Sequence, residues 1–433
     1  MRTLSYQLDR AHRWLAAAAV ALLPFQAFAA VPLQPIGSLL AFDLLVLFGA
    51  VAGGSGIWAA RRQWLFAPAV WLAAALSLTG MASELLLAQP ELGRRIAEQA
   101  APLAAVLVVG VAARDAGGAL VRRAAWAGGV LALGLGVLGW ALELCTGSSR
   151  FSEHGVHPVF SGLPRLFGTF AGSPERLGSF TVYWLALVLA APRDEPRWCR
   201  RGSLALGGVA LLLSMSYAWV GGLLLAASRA PAPLRRWAVG IALLAVLVAS
   251  VPIVRGPESA ELSGGCRTLD VSHYLALRLA PGRCRRIARE GRAVTAYQEA
   301  KRVSWLAFRE QPFAGVGYAG FPDFSERSFV ARYGGPGIHY SQPHGIFHGL
   351  PAKHGLLGLL GLCAWFVALK RGWRGSIWEW AVLGFLAIGL HIDVDRLREL
   401  WLVLAFLLAE QLAGPKDERV EPPRFSTRGE RAE

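Results

Sequence analysis

The sequence predicts an all-α, polytopic membrane protein, and three observations predict it. Hydrophobic residues fill 54% of the 433 positions. Only 17% are charged, against roughly a quarter in an ordinary soluble domain. Those charges cluster, and between the clusters run apolar stretches of the length needed to cross ~30 Å of hydrocarbon. No sustained period-two alternation is present, which argues against a barrel. One helical bundle is expected rather than several globular domains.

Twelve apolar runs read as helices, at about 14–32, 36–54, 64–82, 99–113, 124–144, 178–192, 203–217, 218–228, 237–253, 346–368, 376–391 and 399–413. All are rich in Leu, Ala, Val and Gly, as membrane helices are. The first needs a decision. Arg10 and Arg13 precede an apolar run ending in Ala27-Phe28-Ala29-Ala30, which mimics a cleavable signal peptide. Further apolar runs follow at once, so an uncleaved first helix is expected. Residues 203–228 supply only 26 positions for two crossings, where about 40 would be comfortable. A single long helix would put Arg229, Arg235, Arg236 and the Lys370 cluster outside, so two short or broken helices meeting near Ser214-Met215-Ser216-Tyr217 are expected there.

Basic residues in the short connections set the orientation. Arg2, Arg10 and Arg13, Arg61 and Arg62, Arg114, Arg122 and Arg123, Arg193, Arg197, Arg200 and Arg201, and Lys370, Arg371 and Arg374 all fall inside if the crossings number twelve. Residues 1–253 then hold the first nine helices, with a short outer loop at 145–177. Residues 254–345 form a large outer loop, and 346–413 hold the last three helices. The polar, Pro-containing stretch 414–433 reads as a disordered inner tail.

The net charge of +15 follows from this loop pattern and from contact with anionic lipid, not from nucleic acid. The five cysteines, Cys145, Cys199, Cys266, Cys284 and Cys363, have no metal-site spacing. Cys266 and Cys284 share the large loop and either pair or stay free. The outer loops hold no carboxylate-rich cluster, so no metal and no other cofactor is expected. Within the apolar runs Asp43 and Glu143 carry charge, as do Asp395, Arg396 and Arg398 in the last outer turn. Each either lines a cavity or pairs within the bundle.

The most specific signal is Pro312-x-x-Gly315-x-Gly317, closing on Gly320-Phe321, followed by Pro343-His344-Gly345 and then Gly355-x-x-Gly358. An earlier stretch runs from Arg165 through Gly168, Phe170, Pro174 and Glu175 to Gly178. In this order and spacing the chain resembles the O-antigen ligase/polymerase family of membrane glycosyltransferases, over about residues 160–410. Glu175, Tyr217, Gly345 and Lys353 stand where the family has Asn, Arg, Asn and Glu.

The resemblance implies a fold like that of GT-C glycosyltransferases, with the large periplasmic loop before the last three helices. It implies transfer of a glycan from undecaprenyl pyrophosphate to an acceptor hydroxyl, either lipid A-core or a growing polysaccharide, at the bacterial inner membrane. Such a leaving group calls for forked guanidinium donors. Arg165 and Arg302 are the candidates. A histidine suits the proton taken from the acceptor. His344 is the first candidate, and His339 the second. Tyr217 replaces the family's Arg beside the substrate. Arg289 and Arg292, within a run of arginines, form either a face for lipid headgroups or a docking strip for pyrophosphate. Membrane lipids are partners in any case. Two other classes stay open: a glycan transporter or flippase, and a structural or regulatory relative without activity.

Overall fold

The computed structural model describes residues 2–25, 30–33, 37–87, 92–114, 117–146, 150–153, 164–170, 173–192, 196–250, 252–254, 268–270, 296–333, 343–390 and 397–413. In chain order the helices are α1 (Arg2–Leu22), α2 (Ala41–Ala59), α3 (Arg61–Trp64), α4 (Pro68–Leu87), α5 (Leu92–Ala112), α6 (Gly117–Thr146), α7 (Pro174–Ala190), α8 (Arg197–Ser214), α9 (Ala218–Arg229) and α10 (Ala232–Ser250). After these come α11 (Ala296–Glu310), α12 (Gly317–Tyr333), α13 (Ile346–Gly372), α14 (Ile377–Ile388) and α15 (Arg398–Ala413). Three short antiparallel strand pairs decorate the connections: Ala30–Leu33 with Gly37–Leu40, Ser152–Glu153 with Arg165–Leu166, and Pro252–Val254 with Thr268–Asp270.

The chain is a helical, membrane-embedded protein. Each of the twelve apolar runs overlaps a helix, although residues 30–32 of the first and 37–40 of the second belong to a strand pair. Among the described residues, five helices (α2, α4, α5, α6 and α13) are long and apolar enough to cross a membrane by length and composition. Helix α14 is apolar but has only 12 residues, a rise of about 18 Å. The exposed stripe Leu131, Leu135, Leu138 and Leu142 on α6 repeats at helical spacing. It is the signature of a side turned to lipid, where exposed leucine is at no disadvantage.

Two helices lie at the centre. In α7 every residue from Leu177 to Trp184 is buried, and in α15 every residue from Glu399 to Ala409. A helix buried around its whole circumference belongs in the middle of a bundle. Helix α7 packs against α6, α8, α9, α14 and α15. Tyr183 of α7 and Trp378 of α14 both meet the Phe406 ring of α15, with centroids 6.3 and 4.9 Å away.

Several boundaries differ from the sequence reading. Helix α1 starts at Arg2 and gives way to a 3-10 turn at Leu23–Phe25, rather than running over 14–32. Pro24 has no amide hydrogen to continue the ladder. Residues 26–29, which hold most of the signal-like motif, lie outside the described residues. Helix α7 begins at Pro174 because the Ser173 hydroxyl caps the Arg176 amide with proline in the first position. The stretch 317–333, within the segment 254–345 read as a large outer loop, is helix α12. Its Phe321 and Phe324 bury against Ala300, Val303 and Ala307 of α11 and Ala352 of α13.

The helix ends sort into two sets. At one end Arg114 donates to the Gln63 side chain (2.7 Å), the Ala69 amide to that of Gln411 (3.2 Å), and Gly372 abuts Pro68. Arg200 and Arg229 both donate to the Leu189 carbonyl, at 3.5 and 2.9 Å. The start of α8 and the end of α9 therefore share one end, and the chain reverses between them. Met215 makes that turn in the left-handed region, at φ 45°. The clusters at Arg61, Arg114, Arg122, Arg197 and Lys370 all fall on this arginine end. Arg94 and Arg95, at the start of α5, fall on the opposite end, which also carries the segments that follow.

Candidate functional site

Helix α13 is not continuous. At Gly355 (φ +59°) its backbone leaves the helical region. In an unbroken helix the Leu356 amide would donate to the Ala352 carbonyl four residues back. Instead it donates to the Pro312 carbonyl (2.6 Å), and the Ala352 carbonyl accepts from the Val316 amide (2.9 Å). The segment 312–316 is thus spliced into the helix ladder, and each freed group finds a partner. A buried break needs this, because a buried backbone group left without a partner costs about 1–3 kcal/mol.

The splice explains the glycines. A Cβ on Gly355 would sit 2.5 Å from the Phe313 carbonyl and 2.6 Å from the Pro312 oxygen. A Cβ on Gly315 (φ +69°) would collide with the Lys353 carbonyl and lie 2.5 Å from the His354 amide nitrogen. Backbone meets backbone on both sides, so only glycine fits. From α4 the buried Ser83 hydroxyl reaches the Ala314 carbonyl at 2.7 Å and the Lys353 carbonyl at 3.4 Å.

The N-terminus of α13 is equally constrained. His344 (φ 57°) and Gly345 (φ 148°) are consecutive residues at positive φ. The Ile346 amide donates to Gly389, at the end of α14 (2.7 Å). A Cβ on Gly345 would press on the Leu390 carbonyl oxygen at 3.1 Å. This seating fixes the backbone that carries His344, whose side chain is half-buried. Strained backbone of this kind collects at functional sites.

A second cluster surrounds the turn between α8 and α9. Arg165 donates through Nη2 to Glu175 (2.8 Å) and through Nε to the Ser214 carbonyl (3.3 Å). It stands on the short strand paired with Ser152–Glu153, beside the Phe151 amide, which donates to Glu143 (2.5 Å). Gly178 of α7 lets the Ser216 hydroxyl and Ala218 approach closely. Tyr217, half-buried, lies in the same turn. One turn on, Gly221 packs on Ile388 of α14, whose end also seats the start of α13. The turn with Tyr217 and the entry to α13 with His344 therefore meet the same end of α14.

Arg302 lies on α11, which packs through Ala300, Val303 and Ala307. At 3.6 residues per turn Arg302 falls on the flank turned away from that stripe, half-buried. Its helix leads directly into the spliced segment 312–316. His339, Arg289 and Arg292 lie outside the described residues, as do Cys266, Cys284, Asp395 and Arg396. Cys145, Cys199 and Cys363 are free thiols. Asp43 pairs with Arg398 through two parallel hydrogen bonds, Nε to Oδ1 at 2.9 Å and Nη2 to Oδ2 at 2.6 Å. Pairing within the bundle, one of the two readings open for these charges, is what they do.

Sequence reasoning missed several buried ionisable groups. Glu84, Lys301, Lys353 and Glu399 are all nearly inaccessible. The Lys353 ammonium sits 4.1 Å above the Tyr318 ring centroid, and the His354 ring meets the same tyrosine edge-on at 5.3 Å. Ser83 and Glu84 sit just past the last residue of an apolar run and read as the start of a loop. A polar pair inside a structure that packs small residues on both sides was the available signal.

Among the described residues no group of three His, Cys, Asp or Glu side chains comes together to hold a metal ion. Compared with models of known protein families and with curated proteins, the chain matches none.

Proposed function

We propose that this protein is a membrane glycosyltransferase of the O-antigen ligase/polymerase type, moving a glycan from undecaprenyl pyrophosphate to an acceptor hydroxyl. The observation that carries the reading is the splice at Gly355. Two of the glycines on which the resemblance rests, Gly315 and Gly355, are those whose missing Cβ lets residues 312–316 complete the α13 ladder. A motif without structural meaning would have no reason to close on itself over that distance.

In the proposed reaction the acceptor oxygen attacks the anomeric carbon of the lipid-linked glycan. Its proton passes to His344 as the bond from that carbon to the pyrophosphate oxygen breaks. The departing lipid pyrophosphate takes the electron pair, and Arg302 and Arg165 offset the charge it gains. No metal is needed where forked guanidinium groups hold the phosphates. Ligase and polymerase share this step and differ in the acceptor, lipid A-core or a second glycan chain. His339, Arg289 and Arg292 belong to the same proposal. It places the protein in the bacterial inner membrane, with the arginine end cytoplasmic and the opposite end, with residues 254–345, periplasmic.

One observation favours a relative without activity: Glu175 engages the fork of Arg165 (2.8 Å) where the family has a neutral Asn. A transfer assay separates the two. Full-length protein in liposomes, given a glycan on undecaprenyl pyrophosphate and candidate acceptors in the presence of EDTA, is expected to form product. No transfer to any acceptor would favour the inactive relative. Transfer only after Mg²⁺ or Mn²⁺ is restored would replace the arginine clamp with a metal clamp.

A further inference from the structure

Arg176 follows Glu175 in the first turn of α7, and nothing in the sequence reading assigned it a role. Its side chain is exposed. Helix α7 is buried around its whole circumference from Leu177 to Trp184, with α6, α8, α9, α14 and α15 packed around it. A side chain at the tip of such a helix has no lateral path to lipid. It is exposed at the end of the bundle that also carries His344 and Tyr217.

The surrounding charges set Arg176 apart. Arg165 is held by Glu175 at 2.8 Å, and Arg398 by Asp43 at 2.6 Å. Arg176 has no carboxylate within ion-pairing distance among the described residues. Its charge and that of Arg398 both reach the Glu399 carboxyl, which is buried at the start of α15. Arg176 and Arg398 lie in the first turns of α7 and α15, the two central helices. The position does nothing for α7 itself, since a cation in the first turn opposes the helix dipole. Of these three guanidinium groups, Arg176 is the one whose fork is not already engaged by a carboxylate.

We infer that Arg176 binds the pyrophosphate of the lipid-linked donor, an assignment that rests on the transferase reading above. A planar fork can take two phosphate oxygens at once, which a lysine ammonium cannot. Bidentate capture at this end of the bundle would place the pyrophosphate where neighbouring helices present His344 and Tyr217.

The test is binding, independent of turnover. Full-length protein in nanodiscs is titrated with undecaprenyl pyrophosphate, and in parallel with inorganic pyrophosphate and with phosphatidylglycerol. The wild-type protein is expected to bind undecaprenyl pyrophosphate, and Arg176→Gln to bind it about 10- to 100-fold more weakly, the loss that goes with hydrogen bonds to a charged group. Arg176→Lys should fall between them, and phosphatidylglycerol binding should not change. Because Arg176 is exposed, both variants should melt as the wild type does. If Arg176→Gln did not fold, Arg176→Lys alone would decide, since it keeps the charge and loses the fork. Equal affinity of the variants and the wild type for undecaprenyl pyrophosphate would overturn the assignment and leave the transferase reading standing. An equal loss for phosphatidylglycerol would overturn it too, as a general headgroup contact. A wild-type protein that binds no undecaprenyl pyrophosphate would remove the transferase reading, and the assignment with it.

Discussion

At Met215 the chain leaves α8, reverses and returns as α9, whereas at Gly355 helix α13 breaks and carries on along the same neighbour. The first break is closed by groups close at hand. The Met215 amide donates to Leu212, the Ser214 hydroxyl to Leu211, and the Ser214 and Ser216 hydroxyls meet at 3.0 Å. Arg165 comes from elsewhere, to the Ser214 carbonyl. The second break is closed by residues 312–316, about forty positions upstream. A locally closed break tolerates variety in its residues. A break closed by a distant backbone demands glycine on both sides, because a single Cβ destroys the contact. At the second break Gly315 and Gly355 are the two residues whose Cβ would meet backbone of the other segment.

The largest expected effect is at that distant closure. Gly355→Ala puts a Cβ into the Phe313 carbonyl and forces a positive φ on alanine. It should cost about 3 kcal/mol or more, enough to lower the yield of folded protein. Thermal melting in detergent measures it, and a variant that melts like the wild type would mean the loop is not seated in the helix. Ser83→Ala sharpens the same point. It removes the hydroxyl that ties α4 to the spliced loop and leaves backbone partners intact, so a loss of about 1 kcal/mol is expected. A melting temperature equal to that of the wild type would show that the hydroxyl holds nothing.

The smallest effect belongs to the local closure. Met215→Gly relieves a left-handed residue that costs about 1–2 kcal/mol, and loses about 0.5–1 kcal/mol through the freer unfolded chain. The net change should be neutral or slightly stabilising. A clear loss of stability, comparable with that of Gly355→Ala, would erase the distinction between the two breaks.

How much of this was legible in the sequence depended on how local its cause was. The helices were legible because apolar runs report burial or lipid contact directly. The reversal near Met215 was legible from the arginines, since one helix over 203–228 would have put Arg229, Arg235, Arg236 and the Lys370 cluster at the other end. The boundaries of α1 and α7 were not, because they turn on Pro24 and on the Ser173 cap rather than on hydrophobicity. The Pro312, Gly315 and Gly355 motif was visible as a pattern, but its meaning was hidden. Nothing in a sequence says that the amide of Leu356 and the carbonyl of Pro312 meet. The ionic pairs were hidden for the same reason. Arg165 looked available, and only the structure sets Glu175 on it.

The central claim, that one end of this bundle transfers a lipid-linked glycan with a histidine as base, is tested most directly at His344. Transfer and donor binding should be measured on the same preparations of wild-type and His344→Ala protein. The account expects turnover to fall by ~10²–10⁴ while affinity for undecaprenyl pyrophosphate stays unchanged. Gln at the same position should not restore turnover, since it can accept a hydrogen bond but cannot take the proton. Arg302→Ala should weaken binding as well as turnover, which separates the two roles. A His344→Ala protein that folds normally and transfers glycan at the wild-type rate would contradict the account.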